Sequence, residues 1–573
     1  MQRRSVLIPL ALVGSFGIAL TPTLAEAATP AASASSAHAF VKSAASLAQA
    51  AGARTFTSPA SSSKLVRTLD ATSTTTPNPN LAVALQAQET SALGVELTVD
   101  VTGLTTGTAQ LDIKWGDVSE IFQTVDAGAT EPLKFQHAYG YSGPETITVT
   151  VDDGSGDTAT NSVAVQTLGS EFTAFGPWRM LDTRKGIGAA AAPVAPHGTL
   201  KLKVAGVGVS DGAQKSSTPV GVTAVVMNVT ATGGTANGVL TVYGDEDQSG
   251  KASTRPITSN VNYAKNKNVP NLVVVPVGKN GLIDFYNNSS GSTGIVADIQ
   301  GYFTDANADA YFPVTPTRII DTRKGIGTGK IARIPANGTI YVTVSGIKGG
   351  VIPFDAAAVA VNLTAVDATH PGVITAYSTS NPSGTGPIPS ASNLNYAAGA
   401  ASANAAIVPI SFESPTIGQI AIHNSGAGPV DIIADASGYF TGTPSPAGGS
   451  AYVPLSGPIR ILDTRSTGGP IQAGLPQSEP FPVAASDSPA LPTAAIFNAT
   501  VTQPTGNGYL SLYPYSPMVP AALNPTSNLN YTAGQTIANL AFLAPGTNGY
   551  AIYLGGNGSA QVIMDWFGYF ENQ

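Results

Sequence analysis

The sequence predicts an all-β protein made of several domains, and three observations carry that prediction. Apolar and polar residues alternate with a period of two in runs such as Val95 to Val101, which is typical of half-buried strands. No long segment shows the 3.6-residue period of an amphipathic helix, and 62 Gly and 42 Pro interrupt the short apolar runs. Five motifs also recur three times, in the same order, between residues 172 and 571.

Composition limits the classes of function that need consideration. The chain has 573 residues, of which 43 % are hydrophobic and 11 % are charged, against about 25 % charged in an average soluble domain. At about 100–200 residues per domain, this length predicts about three to five domains. A net charge of −8 with 27 Lys and Arg argues against nucleic-acid binding. The absence of Cys excludes disulfides, thiolate metal sites and cysteine nucleophiles.

The N-terminal segment has the features of an export signal. An apolar stretch follows Arg3 and Arg4, and Ala25-Glu26-Ala27 fits the small-x-small cleavage pattern. We therefore expect residues 1–27 to be a signal peptide, and the mature protein to begin at Ala28 and to be secreted. The alternative is an uncleaved membrane anchor, which the prolines and glycines of the stretch disfavour. No second apolar run of spanning length follows, so no integral membrane segment is expected in the mature chain.

The next segment, residues 28–85, has the composition of a linker. It is rich in Ala, Ser, Thr and Pro, which is typical of flexible and weakly packed tracts. One short helix is predicted within it, from Ala39 to Ala53. Strand patterns dominate beyond this segment, so the first folded domain is predicted at 86–168.

The predicted domain at 86–168 contains three motifs in a fixed order. They are Trp115-Gly116-Asp117, His137-Ala138-Tyr139, and an alternating run from Ile147 to Val151 that leads into Asp152-Asp153-Gly154. This order resembles the PKD domain, an immunoglobulin-like β-sandwich with a Trp/Phe-Gly-Asp strand, a His-x-Tyr strand and a Thr-Val-x-Val-x-Asp-x-x-Gly hairpin. Val118 departs from the glycine that usually follows Gly-Asp in that family. The resemblance implies a spacer or adhesive module and not an enzyme.

Two features of this domain have both a functional and a structural interpretation. Asp152, Asp153 and Asp157 are weak candidates for calcium ligands, because calcium prefers clustered carboxylates. Asp and Gly are also ordinary residues of hairpin turns, which is the interpretation that we favour. His137 is either a ligand or base, or a packed residue of the sandwich, and the second is preferred because no partner His or Cys is evident. No metal site is therefore assigned.

Three copies of one unit, spaced by about 140 residues, are predicted at 172–304, 311–441 and 452–571. That period is too long for a solenoid, whose repeats have about 20–50 residues, so each copy is a domain by itself. The five shared motifs are Arg-x-x-Asp-Thr-Arg at 179–184, 318–323 and 460–465; Asn-x-Thr at Asn228, Asn362 and Asn498; Ser-Asn-x-Asn-Tyr at 259–263, 392–396 and 527–531; a single Asn at Asn271, Asn404 and Asn539; and Asp-x-x-Gly-Tyr-Phe at 298–303, 435–440 and 565–570.

Each copy is predicted to be a jelly-roll-like β-sandwich. Val239 to Tyr243 is β-branched and aromatic, and Asn271 to Val277 is an apolar run typical of a strand buried on both faces. Residues 278–281, Gly-Lys-Asn-Gly, form a turn into the next strand. Many short strands with Gly, Pro and Asn turns favour a sandwich or a barrel, and a jelly roll is the arrangement that we favour.

The repeated units resemble a domain found singly or in tandem in exported proteins of actinobacteria and some other soil bacteria. The resemblance rests on Leu-Asp-Thr-Arg at 181–184 and 462–465, on Ser-Asn-Leu-Asn-Tyr at 392–396 and 527–531, and on the three Gly-Tyr-Phe motifs. In those proteins the domain often follows catalytic or adhesive modules. The resemblance implies an extracellular setting and carries no established activity.

The charged residues of the motifs are candidates for a buried cluster. Asp298 lies in the apolar run from Ile295 to Ile299, so its carboxylate is expected to be buried and to need a partner. The only cations present in every copy are the two Arg of Arg-x-x-Asp-Thr-Arg, so we predict that this Asp pairs with an Arg of its own copy. The charged candidates are Arg179, Asp182, Arg184 and Asp298; Arg318, Asp321, Arg323 and Asp435; and Arg460, Asp463, Arg465 and Asp565.

The Asn and Tyr residues of Ser-Asn-x-Asn-Tyr complete the candidate cluster. In a structural interpretation, the ion pairs lock the first strand of a copy to its last strand, and the Asn side chains satisfy backbone groups in turns. In a functional interpretation, the cluster lines a groove in which Asn, Asp and Arg bind sugar hydroxyls and Tyr stacks on the sugar ring. These residues are Asn260, Asn262, Tyr263, Asn393, Asn395, Tyr396, Asn528, Asn530 and Tyr531.

No constellation for catalysis recurs in the three copies. No His and no Glu is common to the motifs. Asp182 lies between two Arg residues, which lower the pKa of a carboxyl and suit it to an ion pair rather than to general acid catalysis. Zinc-protease and phosphate-loop motifs are absent from the sequence, and Gly208-Val209-Ser210-Asp211-Gly212, which matches the Gly-x-Ser-x-Gly pattern of a nucleophile elbow, occurs in one copy only. We therefore expect no enzyme activity and no cofactor, and a glycan hydrolase is the least favoured alternative.

The favoured function is that of a secreted, non-catalytic binding or adhesive protein. Its partner would be a cell-surface or extracellular polymer, an extracellular polysaccharide or a cell-wall polymer, bound with avidity by three copies. The alternative is a structural or assembly protein in which the three copies pack with pseudo-threefold symmetry. Binding predicts a repeated open groove lined by Asn and Tyr, whereas assembly predicts that these surfaces are buried between domains. The oligomeric state is left open.

Overall fold

The computed structural model describes the chain from residue 55 to residue 572 with gaps, and every regular element in it is a β-strand, which confirms the predicted all-β fold class. The predicted signal peptide at 1–27 and the helix expected from Ala39 to Ala53 lie outside the described residues. Within them, no helix has the length and apolar character needed to cross a bilayer. The described ranges are 55–58, 63–67, 78–90, 92–104, 107–127, 131–139, 143–167, 169–212, 214–247, 249–306, 308–379, 387–441, 449–481, 492–516 and 526–572.

The N-terminal sandwich consists of two antiparallel sheets. One sheet has the strand order β1-β3-β4-β7 and the other has the order β2-β9-β8-β5-β6. Leu97, Trp115 and Val149 are among the residues of the core between them, as expected for an immunoglobulin-like sandwich. The strands are β1 (Thr55–Thr57), β2 (Lys64–Arg67), β3 (Ala82–Glu89), β4 (Gly94–Thr102), β5 (Thr108–Lys114), β6 (Glu120–Asp126), β7 (Leu133–Ala138), β8 (Pro144–Asp152) and β9 (Asp157–Gln166).

This sandwich begins earlier in the chain than its composition predicts. The strands β1 and β2 lie inside the predicted linker, and β3 starts at Ala82 rather than after residue 85. The linker interpretation is wrong for these strands. Composition misleads here because β1 and β2 are added at sheet edges, where β1 pairs with β3 and β2 pairs with β9. Ser58 also anchors the segment, since its hydroxyl accepts a hydrogen bond from the backbone N–H of Leu85 at 2.9 Å.

Repeat 1 has two four-stranded sheets and an additional hairpin. The sheets have the orders β10-β19-β14-β17 and β11-β18-β15-β16, and β12 pairs with β13 in the hairpin. The strands are β10 (Glu171–Asp182), β11 (Thr199–Lys203), β12 (Gly208–Asp211), β13 (Gln214–Ser217), β14 (Val222–Thr232), β15 (Gly238–Gly244), β16 (Val261–Tyr263), β17 (Val269–Pro276), β18 (Leu282–Ser289) and β19 (Gly294–Thr304).

Repeats 2 and 3 have the same pair of sheets. In repeat 2 the orders are β20-β27-β22-β25 and β21-β26-β23-β24, and in repeat 3 they are β28-β36-β31-β34 and β30-β35-β32-β33, while the short β29 pairs with β36. The strands of repeat 2 are β20 (Ala310–Asp321), β21 (Thr339–Thr343), β22 (Ala356–Val366), β23 (Gly372–Tyr377), β24 (Leu394–Tyr396), β25 (Ser402–Pro409), β26 (Gln419–Asn424) and β27 (Asp431–Thr441). Those of repeat 3 are β28 (Ser450–Asp463), β29 (Ile471–Gln472), β30 (Gln477–Glu479), β31 (Ala494–Thr502), β32 (Gly508–Pro514), β33 (Leu529–Tyr531), β34 (Ile537–Leu543), β35 (Tyr550–Gly556) and β36 (Ser559–Asn572).

The strand order of each repeat is that of a jelly roll. When the β12-β13 hairpin and β29 are left aside, eight strands remain per repeat. The first, eighth, third and sixth strands form one sheet, and the second, seventh, fourth and fifth form the other. Two such interleaved sheets define the double Greek key of a jelly roll. In every repeat the first strand therefore lies beside the last strand, although more than a hundred residues separate them.

The hydrophobic residues form five separate cores. Each of the four sandwiches has its own core, and a fifth core is shared by the three repeats. In β14, Val225 and Met227 face the core of repeat 1, whereas Ala224 and Val226 face the shared core. The sheet of the first, eighth, third and sixth strands is thus buried on both faces, which explains why its sequence is an uninterrupted apolar run rather than an alternating one.

The shared core is lined by aromatic rings from all three repeats. Tyr311 stacks on Phe570 with a ring-centroid distance of 4.1 Å, and Phe303 lies 4.6 Å from Tyr452. Burying each such ring stabilises the packing of the repeats by about 1.5–3 kcal/mol. The six central rings are Phe172 and Phe303 of repeat 1, Tyr311 and Phe440 of repeat 2, and Tyr452 and Phe570 of repeat 3.

Candidate functional site at the junctions between repeats

An ion pair joins the first and last strands of each repeat. Arg179 on β10 lies directly opposite Asp298 on β19, and its Nε and Nη2 atoms donate hydrogen bonds of 2.8 and 3.1 Å to the two carboxylate oxygens. The equivalent Arg Nε to Asp Oδ1 distance is 2.8 Å in repeat 2 and in repeat 3. The pairing within each copy that the sequence predicts is therefore present. The partners are Arg318 with Asp435, and Arg460 with Asp565.

A second ion pair lies at the end of the first strand. The Nε and Nη2 atoms of Arg184 donate hydrogen bonds of 2.8 and 2.7 Å to Asp182, and the same bidentate geometry recurs with Arg323 on Asp321 and Arg465 on Asp463. The hydrogen bond from Arg184 lowers the pKa of Asp182 from its ordinary value. This carboxyl is held ionised, so it has the wrong protonation state for a general acid.

Burial changes the pKa values of the first ion pair, Arg179 and Asp298. It raises the pKa of Asp298 above its ordinary value, while the hydrogen bonds from Arg179 and Ser392 act in the opposite direction. Burial also disfavours the charged form of Arg179, but the bonds to Asp298 outweigh it and raise the pKa of the guanidinium. The cation is therefore kept, and the carboxylate depends on it for charge compensation.

The Asn of each Asn-x-Thr motif binds the next repeat rather than its own. Asn228 of repeat 1 donates from Nδ2 to the backbone oxygen of Ser392 in repeat 2 at 2.7 Å. Asn362 of repeat 2 makes the same bond to Ser527 of repeat 3 at 2.5 Å. Asn498 of repeat 3 bonds to Ser259 of repeat 1 at 2.5 Å, which closes the cycle. Equivalent contacts thus recur at all three junctions, as in a pseudo-threefold ring.

The single Asn that follows Ser-Asn-x-Asn-Tyr completes each junction. Asn404 of repeat 2 donates from Nδ2 to Oδ1 of Asn228 at 2.8 Å, and its Oδ1 accepts from the backbone N–H of Leu272 at 3.3 Å, so it bonds twice to repeat 1. The same Asn-to-Asn distance of 2.8 Å recurs at the other junctions. These contacts join Asn539 to Asn362 and Asn271 to Asn498.

The ion pairs also take part in the junctions. Besides its bonds to Arg179, Asp298 accepts hydrogen bonds from the backbone N–H of Ser392 at 2.8 Å and from its hydroxyl at 3.1 Å. Asp565 accepts from the backbone N–H of Ser259 at 3.4 Å. Each of these carboxylates therefore connects two strands of its own repeat to the adjacent repeat. Because Asp298 and Asp565 are fully buried, none of this network faces solvent there.

The residues of Ser-Asn-x-Asn-Tyr have three different roles. The first Asn satisfies a backbone group of its own repeat, since Oδ1 of Asn260 accepts from the N–H of Val242 at 2.7 Å, and Asn393 and Asn528 do the same for Ala376 and Leu512. The Tyr is buried in the core of its own repeat. The second Asn, which is Asn262, Asn395 or Asn530, is half-buried and lines a cavity.

The buried tyrosines correct one expectation. Tyr263, Tyr396 and Tyr531 are only 4–5 % exposed. The hydroxyl of Tyr263 donates to Asn287 at 2.6 Å, and that of Tyr396 donates to Asn424 at 2.5 Å. Rings that are packed in this way are not available to stack on a sugar, so the expected role of Tyr in a repeated sugar groove is wrong.

The cavity lies where the three repeats meet. Its volume is about 1110 Å³, and its walls come from all three copies. It is bordered by the first residues of β17, β25 and β34, the three sixth strands that also carry Asn271, Asn404 and Asn539. A cavity in this position exists only because the three repeats are packed together.

At the opposite ends of these strands, the beginnings of the repeats pair with one another. Phe172 pairs with Asp309, Tyr311 pairs with Ser450, and Tyr452 pairs with Ser170. The Tyr452 N–H donates to the Ser170 oxygen at 2.8 Å, and the reverse bond measures 2.9 Å. These contacts form a closed ring of backbone pairs around the aromatic core.

The packing of the first aromatic side chain of each repeat against the last strand explains the glycine of Gly-Tyr-Phe. A Cβ atom on Gly438 would lie 2.2 Å from the hydroxyl oxygen of Tyr311, and one on Gly301 would lie 2.1 Å from Cζ of Phe172. Only a residue without a side chain lets the first aromatic ring of the repeat lie on the last strand. The motif is therefore required by packing.

The candidate residues of the N-terminal sandwich have local structural roles. Asp152 and Asp153 accept hydrogen bonds of 2.9 Å from the backbone N–H groups of Gly154 and Ser155, as in a turn. His137 stacks on Trp115 at 4.5 Å and lies 2.8 Å from Asp117, a partner that its sequence neighbourhood does not reveal. Within the described ranges, no group of three or more His, Asp and Glu side chains is placed to hold a metal ion.

The sequence analysis does not predict the role of some residues at the junctions. Ser259, Ser392 and Ser527 recur in the motif, yet their role in receiving the Asn of another repeat is not predicted. The first aromatic of each repeat, Phe172, Tyr311 or Tyr452, precedes Arg-x-x-Asp-Thr-Arg by seven or eight residues, and this recurrence is the signal that could have revealed it.

Fold and site together define a class of protein: a chain of β-sandwiches whose three jelly rolls form a closed pseudo-threefold ring with buried polar junctions. No family model matches the chain, and no curated protein matches it. Among solved structures, it is similar to a chain in the atomic structure of Sulfolobus turreted icosahedral virus, with 9 % identity, a TM-score of 0.13, and coverage of 72 % of this chain and 87 % of that one. A TM-score this low carries no argument, so the class rests on strand order and contacts alone.

Proposed function

We propose that this protein is an exported, non-catalytic structural protein in which one chain supplies all three units of a jelly-roll ring. The observation that carries the proposal is the cyclic network of Asn228, Asn362 and Asn498, each bonded to the Ser of the next repeat. Buried polar groups that are fully paired specify one arrangement of the packed parts and exclude others. The recurring Asn and Ser residues of this network are then assembly residues rather than a site.

The chemistry of the repeated residues supports the non-catalytic part of the proposal. The recurring carboxylates are each engaged by a guanidinium, and the Asp182, Asp321 and Asp463 pKa values are lowered from the ordinary value. A general acid needs a carboxyl with a raised pKa and access to substrate. The other recurring carboxylates, such as Asp298, are buried at the junctions.

The multivalent binding function favoured by sequence has less support. It requires a groove in each repeat lined by Asn and Tyr, but Tyr263, Tyr396 and Tyr531 are buried and Asn260 and Asn393 bond to their own backbone. In the proposal, export follows from the segment at residues 1–27, and the PKD-like sandwich acts as a spacer between that end and the ring. Mass spectrometry of the secreted chain should place its N-terminus at Ala28.

The assembly is tested by hydrogen exchange of the full chain. If the repeats form one cooperative unit, the backbone amides of Leu272, Ala405 and Leu540, which lie in equivalent strands of the three repeats, should open with the same free energy. Three different opening free energies, each sensitive to substitutions in one repeat only, would contradict the proposal.

The variant that makes this test specific is Asn404→Ala. It leaves the Oδ1 of Asn228 and the N–H of Leu272 without their partner, and each unpaired buried group costs about 1–3 kcal/mol. We expect a loss of about 3 kcal/mol that also lowers the protection of Leu272 in repeat 1. The matched control is Asn288→Ala, which removes an exposed Asn of repeat 1 and should change the stability by less than about 0.5 kcal/mol.

A further inference from the structure

The cavity at the meeting point of the three repeats has the chemistry of a ligand site. Its described lining consists of amide, hydroxyl and small apolar side chains, with Lys267 as its one charged residue and no carboxylate. A volume of about 1110 Å³ is slightly above the range of about 300–1,000 Å³ that is usual for small-molecule sites, so the cavity has room for a ligand of several rings. Such a wall favours a polar ligand that is neutral or acidic and disfavours a cationic one.

Amide groups converge on the cavity from all three repeats. Asn262, Asn395 and Asn530 are each the middle residue of a three-residue strand, β16, β24 or β33, and are half-buried in the cavity wall. Four more amides line the cavity: Asn237, Asn266 and Asn268 of repeat 1 and Gln535 of repeat 3. Each amide offers both a donor and an acceptor, which suits neighbouring hydroxyl groups of a sugar ring.

Two of these amides have hydrogen-bonding capacity that the protein does not use. The Oδ1 atoms of Asn262 and Asn395 are buried and have no hydrogen-bond partner among the described residues. A buried acceptor without a partner costs about 1–3 kcal/mol. These oxygens are out of reach of water, so the Asn side chain must turn to present its amide to a ligand hydroxyl, and the hydrogen bond that then forms offsets that cost. By contrast, Oδ1 of Asn530 accepts from the hydroxyl of Ser527 at 3.4 Å.

We propose that this cavity is a carbohydrate-binding site that takes the end of one neutral or acidic oligosaccharide per chain. The inference rests on the proposed packing, because the walls come from three repeats. It also changes the stoichiometry that the sequence suggests: a site on the pseudo-threefold axis binds one ligand, whereas a groove in each repeat binds three.

The test is isothermal titration of the full chain with three probes: cellotetraose, chitotetraose and tetragalacturonate. We expect at least one of them to bind with a stoichiometry of one per chain, and we expect the cationic tetramer of glucosamine not to bind. Absence of binding by all three probes, or a stoichiometry of three, would overturn the proposal.

A steric variant locates the site. Ala401→Trp places a large side chain on the cavity wall, at an exposed position where it should not disturb folding, and is expected to weaken binding about tenfold or more. The matched control is Ala398→Trp, the same change at an exposed residue of the same loop that does not line the cavity. Equal weakening by both variants, or by neither, would rule the cavity out.

A second variant tests the amides directly. The double substitution Asn262→Ala/Asn395→Ala removes both unpartnered acceptors and should weaken binding about tenfold, which corresponds to one or two lost hydrogen bonds. Hydrogen exchange separates the two proposals. Cooperative opening of the three repeats without glycan binding refutes only this site, whereas independent opening refutes the packing on which the site depends.

Discussion

At the scale of single residues, the motifs show which side chains matter but not always which partners they meet. The Arg179–Asp298 pair could be predicted because a buried carboxylate needs a cation and only two Arg recur in every copy. The bond from Asn228 to Ser392 spans 164 residues and leaves the repeat. Spacing alone cannot assign it, because each copy contains the same Ser in the same motif, and the geometry that selects the next copy exists only after the repeats pack.

The ion pair gives a prediction that includes its dependence on pH. Arg179→Met leaves the carboxyl of Asp298 buried without its cation, which typically costs about 3–5 kcal/mol. Without the guanidinium, the pKa of Asp298 in the folded state rises further above its unfolded value. The variant is therefore expected to lose stability as the pH rises above about 4, relative to the unsubstituted protein. Urea unfolding at pH 5 and pH 8 measures this difference.

An exposed ion pair supplies the control for that experiment. Lys134 lies 2.7 Å from Glu96, and its side chain is 64 % exposed. Lys134→Met should change the unfolding free energy by less than about 1 kcal/mol at either pH. If Arg179→Met changes the unfolding free energy as little as Lys134→Met does at both pH values, the buried pair does not contribute the expected stability.

At the scale of strands and sheets, period-two alternation is a reliable guide only where one face of a sheet meets solvent. In the N-terminal sandwich it identifies β4 and β8 directly. In β14 and β31 almost every residue is buried, because the second face of the sheet packs on the shared core. The sequence therefore shows a continuous apolar run, which does not reveal that the second face packs on the other repeats. Conversely, β1 and β2 have only three and four residues, their described side chains are mostly exposed, and they are held by the sheet edges to which they pair.

The close contact between first and last strands gives a prediction for these elements. Gly438→Ala places a Cβ atom 2.2 Å from the Tyr311 hydroxyl oxygen, which is buried and bonded to the Ser437 backbone oxygen at 3.0 Å. Relieving that overlap must displace the aromatic ring, so we expect destabilisation of about 1–3 kcal/mol by thermal or urea unfolding.

A second glycine tests whether the overlap is the cause. Gly221 has open space where its Cβ would lie and does not have a left-handed backbone. Gly221→Ala is therefore expected to be neutral or to stabilise by up to about 1 kcal/mol. Similar losses of stability in both variants would show that the aromatic ring is not the reason for the glycine of Gly-Tyr-Phe.

At the scale of the whole molecule, carboxyl groups near the joints between domains make stability depend on pH. Burial and the neighbouring Glu171 raise the pKa of Asp309 to about 7, and burial and the neighbouring Glu89 raise the pKa of Glu571 to about 8. Burial also raises the pKa of Glu479 to about 7. Asp309 lies where repeat 2 meets repeat 1, and Glu571 lies beside the N-terminal sandwich.

The direction of the effect follows from proton binding. Between about pH 5 and pH 8 the folded protein holds protons on these carboxyls that the unfolded chain has already released, so the free energy of unfolding falls as the pH rises. We expect the melting temperature to decrease steadily from pH 5 to pH 8 in scanning calorimetry. The double variant Asp309→Asn/Glu571→Gln should flatten this dependence. Glu131→Gln, at an exposed position, should leave it unchanged, and a melting temperature that rises with pH would contradict the assignment.

The ring of backbone pairs that includes Phe172, Tyr311 and Tyr452 makes the two ends of the packed repeats different from each other. Strand β10 enters at this ring, and in β14 the register runs from Ala224 opposite Pro276 at the ring end to Ala231 opposite Val269 at the cavity end. The N-terminal sandwich adjoins the ring end, where Ala92 bonds to the backbone oxygen of Asn572 at 3.2 Å. The contact with the N-terminal sandwich and the cavity therefore lie at opposite ends of the same strands, so a ligand could enter the cavity without meeting that sandwich.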